Sequence, residues 1–178
     1  MGIYEQVREQ LWPRGQRPDI WMVIDTSRDS RIYPAVTFSG LRHECLFAGE
    51  LSVPLQRTAP YLVQLEVDDR ATIRMIEDGF LQSWGTFYKA DVGIKTMRKH
   101  LRTLLRVQGP DAKYMLFRYW DPRVLRVYLP TCLPDELHRF FGPIEQIWVE
   151  DRPAGARILR YANRGGKLEK KEIELLTD

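Results

Sequence analysis

Short apolar runs alternate with amphipathic segments along the chain, and this alternation predicts its secondary structure. Runs with the length and composition of strands lie at 21–24, 43–47, 61–65, 86–88, 113–119 and 144–149. Apolar residues three or four positions apart, together with capping residues, predict helices at 3–12, 31–38, 68–81, 94–107 and 134–141 and one from Pro122. We therefore expect strands that alternate with helices.

The alternation favours an α/β fold, a single domain with a mostly parallel central sheet flanked by helices. The connections at 66–86, 91–112 and 121–143 each contain a predicted helix, and each is long enough for a right-handed crossover between parallel strands. We expect an N-terminal helix in 1–17, the α/β domain in 18–150 and a short C-terminal appendage in 151–178. The appendage sequence fits either a hairpin or a charged helix.

Composition places the chain among ordinary globular proteins. Of its 178 residues, 44% are apolar and 29% are charged, and the net charge of +3 is too small to indicate a nucleic-acid partner by itself. The apolar runs are too short to cross a bilayer, and the N-terminus does not resemble a signal peptide. Cys45 and Cys132 are expected to be reduced and buried. We therefore expect a cytoplasmic protein without membrane contact.

Motifs that carry catalysis are missing from the sequence. It contains no Gly-rich phosphate loop, dinucleotide fingerprint or paired-His zinc helix, and no Ser at a nucleophile elbow. His43 lies two residues from Cys45, but a third group that would orient such a pair is not evident. We therefore expect no catalytic residue, no cofactor and no metal.

The turn between the strand at 113–119 and the helix from Pro122 is the most informative local feature. Asp121 is placed to cap that helix, and Arg118, Trp120 and Arg123 crowd the same turn. Asp25, at the end of the first predicted strand, would face the crevice in which α/β sheets bind ligands. These residues are candidates for a binding site. The alternative is structural, with Asp121 only a cap and Asp25 paired to Arg118 or Arg123.

The predicted helix 94–107 carries a stripe of basic residues opposite its apolar face. Its members are Lys95, Arg98, Lys99, Arg102 and Arg106. The stripe is either a solvated face or a docking surface for an acidic partner or a phosphate backbone. Aromatic residues are not interleaved with it, which argues against single-stranded nucleic acid. Tyr61, Trp120 and Trp148 form an alternative apolar rim at which a partner would bind.

Several short motifs resemble, in the same order, the effector-adaptor family of bacterial type VI secretion, the Tap/TEC or VasW-like proteins first known as a domain of unknown function. The resemblance covers about 20 to 150. It rests on the segments Val23–Asp25, Cys45–Gly49, Ala59–Val63, Ser83–Gly85, His100–Arg102, Phe117–Val124 and Phe140–Ile144, and on Trp148.

The resemblance implies a non-catalytic cytosolic adaptor, or chaperone, that binds a toxin effector and helps to load it onto the VgrG spike. It also implies that seven residues occupy positions characteristic of the family: Asp25, Pro60, Tyr61, Arg118, Asp121, Pro122 and Arg123. Many members continue into a larger helical lobe, so we expect this chain to bind its effector with the tail or the α/β face. No nucleic acid is expected as a partner.

Two other functions fit the same residues. One is a small enzyme whose crevice around Asp25 and Arg118 binds an anionic substrate. The other is a nucleic-acid-binding module that uses the basic helix 94–107. The first requires Asp25 and Arg118 to be open rather than bound to each other, and the second requires the basic stripe to continue into further positive surface.

Overall fold

A computed structural model describes residues 1–109, 111–152 and 155–176. Its helices are α1 (Ile3–Leu11), α2 (Ile32–Thr37), α3 (Val53–Gln56), α4 (Arg70–Gly79), α5 (Ile94–Thr103), α6 (Pro122–Tyr128) and α7 (Pro134–Phe141). Its strands are β1 (Ile20–Asp25), β2 (His43–Cys45), β3 (Pro60–Leu65), β4 (Gly85–Lys89), β5 (Arg106–Gln108), β6 (Tyr114–Leu116), β7 (Gln146–Asp151), β8 (Arg157–Arg164) and β9 (Lys167–Glu174).

The central sheet is antiparallel, so the prediction of a mostly parallel sheet is wrong. Seven strands lie in the order β2-β3-β1-β4-β7-β8-β9, and every neighbouring pair among them is antiparallel. The helical connections were correctly located, but they do not join adjacent strands. The helix α4, for example, links β3 to β4, which lie on opposite sides of β1.

Apolar side chains cover both faces of this sheet. One face packs against α1, α2 and α4, and the other against α5, α6 and α7. Along β1, Ile20, Met22 and Ile24 enter the first layer, whereas Trp21 and Val23 enter the second. Burial on both faces is typical of parallel sheets, but here it arises from two helical layers around an antiparallel sheet. Helical connections of crossover length, from which a parallel sheet was predicted, therefore occur here between strands of an antiparallel sheet.

The helix α5 ends four residues earlier than its periodicity predicts. It stops at Thr103, and Arg106 lies in β5, which pairs with β6 in a separate two-stranded sheet. The strand predicted at 113–119 is therefore a short hairpin strand, Tyr114–Leu116, outside the central sheet. All three of its side chains are exposed. The chain then returns to the core through Tyr119 and Trp120.

Close packing fixes α5 beside α7. The His100 Nε2 atom lies 2.8 Å from the Phe140 carbonyl oxygen, and burial lowers the pKa of this imidazole. Gly142, which follows α7, has a positive φ of 49°. A Cβ atom there would collide with the His100 ring, so only glycine permits this approach. The helix that carries the basic stripe is thus held firmly against the core.

The C-terminal segment forms the hairpin alternative rather than a helix. In this hairpin β8 pairs with β9 and also with β7, so both strands extend the central sheet. The side-chain amide of Gln6 in α1 forms two hydrogen bonds with the backbone of Leu176. Its Nε2 donates to the Leu176 carbonyl oxygen at 2.9 Å, and its Oε1 accepts from the Leu176 amide at 2.7 Å. Residues 153–154 and 177–178 of the predicted appendage 151–178 lie outside the described residues.

Candidate functional site

The carboxylate of Asp25 is bound inside the protein. It lies at the end of β1 with its side chain 3% exposed. Its Oδ1 accepts hydrogen bonds from the Ser27 amide at 2.9 Å and the Ser27 hydroxyl at 2.5 Å. Its Oδ2 accepts one from Arg118 Nη2 at 2.5 Å. Asp25 and Arg118 therefore bind each other, as in the structural alternative, and both carboxylate oxygens already have donors.

Asp121 forms the predicted cap of α6. Its Oδ1 accepts a hydrogen bond from the Arg123 amide at 3.0 Å, and Pro122 occupies the first turn. The Arg123 guanidinium also binds both carboxylate oxygens, with distances of 3.0 Å from Nε and 2.7 Å from Nη2. Burial alone would raise the pKa of Asp121, but the hydrogen bonds and the charge of Arg123 hold it below its usual value. Arg123 thus binds the capping residue of α6.

Glu150 stabilises a strained turn, which the sequence did not reveal. Leu81 and Ser83 both have positive φ angles, 65° and 58°. Their amides donate to the two carboxylate oxygens of Glu150, at 2.6 and 2.8 Å. Burial raises the pKa of Glu150, while these amides oppose that shift. The only sequence signal was an acid at the end of an apolar strand.

Ion pairs continue along the same end of the sheet. Asp151 lies 2.7 Å from Arg157 and 3.3 Å from Arg126, and Arg157 also binds Glu172 at 2.7 Å. Arg126 Nη1 donates to the Glu150 carbonyl at 2.6 Å. These charges neutralise one another across β7, β8 and β9, so this end of the sheet presents paired rather than open charge.

The expected apolar rim lies in the core. Trp120 and Trp148 are 2% and 1% exposed and belong to opposite layers, so they do not form one surface. Tyr61 is 7% exposed, donates its hydroxyl hydrogen to the Gln56 carbonyl and packs edge-on against Tyr33. Burial raises the pKa of this phenol. Position at the ends of elements indicated a rim, but large aromatic rings fill the core there instead.

The basic stripe divides into two kinds of side chain. Arg98 is turned inward, where its Nε donates to the Cys45 carbonyl at 2.8 Å and its Nη2 to the Phe47 carbonyl at 3.3 Å. Lys95, Lys99 and Arg106 are exposed, whereas Arg102 is half-buried. The Arg102 Nε atom is buried and has no hydrogen-bond partner within the described residues. Within those ranges, Arg98 alone of the five forms an ion pair, at 3.8 Å from Glu44.

A groove runs beside this stripe, with a cavity of about 1060 Å³. We call it the basic groove. Its cationic side consists of Lys95, Arg98, Lys99, Arg102 and Arg106, and Glu44 also reaches it. Its apolar lining comes from the segment after β2, from the turn between α5 and β5 and from β6, and comprises Leu46, Phe47, Ala48, Leu51, Leu55, Leu105 and Leu116.

Exposed apolar side chains extend the basic groove outward. Leu55 and Leu116, which line it, are 42% and 51% exposed. Tyr114, two residues before Leu116 on β6 and therefore on the same face of the strand, is 72% exposed. Sequence reasoning missed this apolar part because an apolar strand is normally buried. The sequence predicted only a strand at 113–119 there.

The described residues contain neither a cluster of metal-binding side chains nor a helix that could span a membrane. Across 1–109, 111–152 and 155–176, no group of three or more His, Cys, Asp and Glu side chains is arranged to hold a metal ion. In those ranges no helix has the length and apolar content that a bilayer crossing requires. Cys45 and Cys132 are unpaired and half-buried, and burial raises the pKa of both thiols.

One family model matches the chain. It is described as "Domain of unknown function (DUF4123)" and covers residues 20–139. That range includes β1 to β6, all but the last two residues of α7 and every residue of the basic groove. No curated protein and no solved structure matches the chain. Because the match covers well over half of its length, the chain belongs to the DUF4123 family.

Proposed function

We propose that this protein is a non-catalytic adaptor, or chaperone, that binds a secreted toxin effector and helps to load it onto the VgrG spike of a type VI secretion system. The matched family range, 20–139, lies inside the stretch whose motifs resemble the effector adaptors. We further propose that it acts in the cytoplasm, where it would meet both partners before secretion.

The observation that carries the proposal is the basic groove with its exposed apolar side chains, among them Leu55 and Leu116. An open surface that combines apolar side chains with cations such as Lys95 and Lys99, which form no ion pair among the described residues, is suited to a macromolecular partner. Small-molecule sites are more enclosed and bury most of their ligand. The binding of Asp25 and Arg118 to each other also disfavours the enzyme alternative, which needed both groups open to a substrate.

Co-expression tests the proposal directly. The tagged protein would be produced with a toxin effector and a VgrG spike protein from the same organism, then purified and separated by size-exclusion chromatography. We expect a complex with the toxin and a larger complex when the spike protein is added. If the toxin and the spike protein both elute separately from the tagged protein, the proposal fails.

A further inference from the structure

The cations of the basic groove are spaced along one face of a helix. Lys95, Lys99 and Arg102 lie four and three positions apart on α5, and Arg106 follows just beyond its end. Lys95 and Arg102 are seven positions apart on α5, so the helical part of this row is about 10 Å long. A partner that neutralises the row therefore needs acidic side chains about 5 to 6 Å apart.

Apolar side chains lie along the other side of the groove. Leu51 and Leu55 come from the segment around α3, Leu105 from the turn between α5 and β5, and Leu116 from β6. A partner that covers them needs an apolar stripe beside its acidic residues. Charge and hydrophobicity together specify an amphipathic segment.

The sheet edge beside the groove is not open to an added strand. The outer strand β2 is only three residues long, and Arg98 binds the carbonyl oxygens of Cys45 and Phe47 at this edge. An extended partner would have to displace the guanidinium to pair with those carbonyls. A helix satisfies its own backbone and needs only side-chain contacts, so it suits this surface better.

We propose that the basic groove docks an acidic amphipathic helix of the protein partner, whose apolar stripe covers Leu55, Leu105 and Leu116 and whose carboxylates bind Lys95, Lys99 and Arg106. The identity of this partner as an effector rests on the proposed adaptor function, whereas the chemistry of the helix rests on the groove. Nucleic acid is less suited, because Phe47 alone among the groove residues offers an aromatic ring for base stacking.

Fluorescence anisotropy with a defined peptide tests this inference. The probe is a labelled peptide of about 18 residues, with Leu at i, i+3, i+4 and i+7 spacing and Glu beside each Leu. Its control has Gln in place of every Glu. We expect the Glu peptide to bind about tenfold more tightly than the Gln peptide, and this preference to shrink as salt rises.

Matched charge reversals identify the site. Lys99→Glu with Arg106→Glu reverses two exposed groove cations, and we expect it to weaken the Glu peptide about tenfold. Arg14→Glu with Arg17→Glu makes the same change in net charge at a different cavity, and we expect it to change the affinity for the Glu peptide less than twofold. Thermal melting of each variant confirms that it is folded.

Several results would overturn the inference. The first is equal affinity for the Glu and Gln peptides, and the second is an equal loss of Glu-peptide affinity in both double variants. The third is tighter binding of a labelled DNA strand or duplex than of the Glu peptide. The fourth is a wild-type dimer that the double variant Lys99→Glu with Arg106→Glu converts to a monomer. If that groove variant still captures the effector fully, the groove is not the effector-binding site, but the adaptor function is not contradicted. Peptide binding at the groove without effector capture would reject the adaptor function alone.

Discussion

At the scale of single residues, buried acids in this protein stabilise the fold through donors that lie close to them. Asp25 is bound by Ser27 and Arg118, Asp121 by Arg123, and Glu150 by two amides of a strained turn. Each carboxylate uses both oxygens in these contacts. The acids at the strand ends, and the arginines that bind them, therefore contribute to the stability of the fold.

We expect Asp121→Ala to lower the free energy of unfolding by about 1 kcal/mol, because the variant loses the cap of α6. Asp121→Asn keeps an acceptor for the Arg123 amide and should lose less. Urea denaturation of both variants measures the difference. If Asp121→Ala unfolds at the wild-type urea concentration, Asp121 does not act as a cap.

The same carboxylate should contribute to acid denaturation. The pKa of Asp121 in the folded state lies below the 3.8 of a free Asp, so its charge stabilises the fold above that pH. The contribution is lost as pH falls through the lower, folded-state pKa. We therefore expect the stability difference between wild type and Asp121→Asn to be constant near neutral pH and to shrink below about pH 4. A difference that grows on acidification would contradict this assignment.

Glu150→Ala should be more damaging than the loss of a helix cap. Removal of this carboxylate leaves the amides of Leu81 and Ser83 without their acceptor in a turn with positive φ angles. We expect a loss of about 2 kcal/mol in chemical denaturation, with Glu150→Gln in between. Glu77→Ala, at an exposed position of α4, is the control and should change stability by less than about 0.5 kcal/mol. Equal effects of Glu150→Ala and Glu77→Ala would show that the turn does not depend on Glu150.

At the scale of elements, α5 uses neighbouring cations for different purposes. Arg98 binds the carbonyls that follow β2, whereas Lys99 is exposed. We expect Arg98→Ala to lower the free energy of unfolding by about 1 kcal/mol and Lys99→Ala to leave it nearly unchanged. Thermal melting of the two variants provides the measurement. Equal melting temperatures would show that Arg98 does not hold the sheet edge.

The strand β6 should serve binding rather than stability. Tyr114→Ser with Leu116→Ser removes two exposed apolar side chains, so we expect a stability change of less than about 0.5 kcal/mol. We expect effector capture to weaken about tenfold, as loss of apolar interface contacts commonly does. Val127→Ser, which removes a side chain 71% exposed on α6, is the control and should leave capture unchanged. Unfolding of the β6 variant, or full capture by it, would contradict this role.

Element positions were largely predictable from the sequence. The apolar runs at 21–24 and 61–65 lie within β1 and β3, and the predicted cap Asp121 begins α6. The prediction was wrong at the end of α5. Leu104 and Leu105 continue the helical spacing, but the chain turns there into β5. Local periodicity cannot reveal such an end, because apolar residues at these two positions fit a continued helix as well as a turn into a strand.

At the scale of the whole molecule, strand direction could not be read from the sequence. Burial on both faces and helical connections occur in parallel sheets and in this antiparallel sheet between two helical layers. For a related reason, only the cationic part of the basic groove was predictable from the sequence. Helical spacing revealed the cations of α5, but Leu55, Leu105 and Leu116 come together only through the fold.

Secretion of the effector is the most direct test of the proposed adaptor function. The gene would be deleted in its native host, and effector and spike protein in the culture medium would be measured by immunoblotting. We expect effector secretion to be lost while spike secretion continues. Wild type and the Arg14→Glu with Arg17→Glu variant should restore it, and the Lys99→Glu with Arg106→Glu variant should not. Effector secretion at the wild-type level in the deletion strain would contradict the proposal.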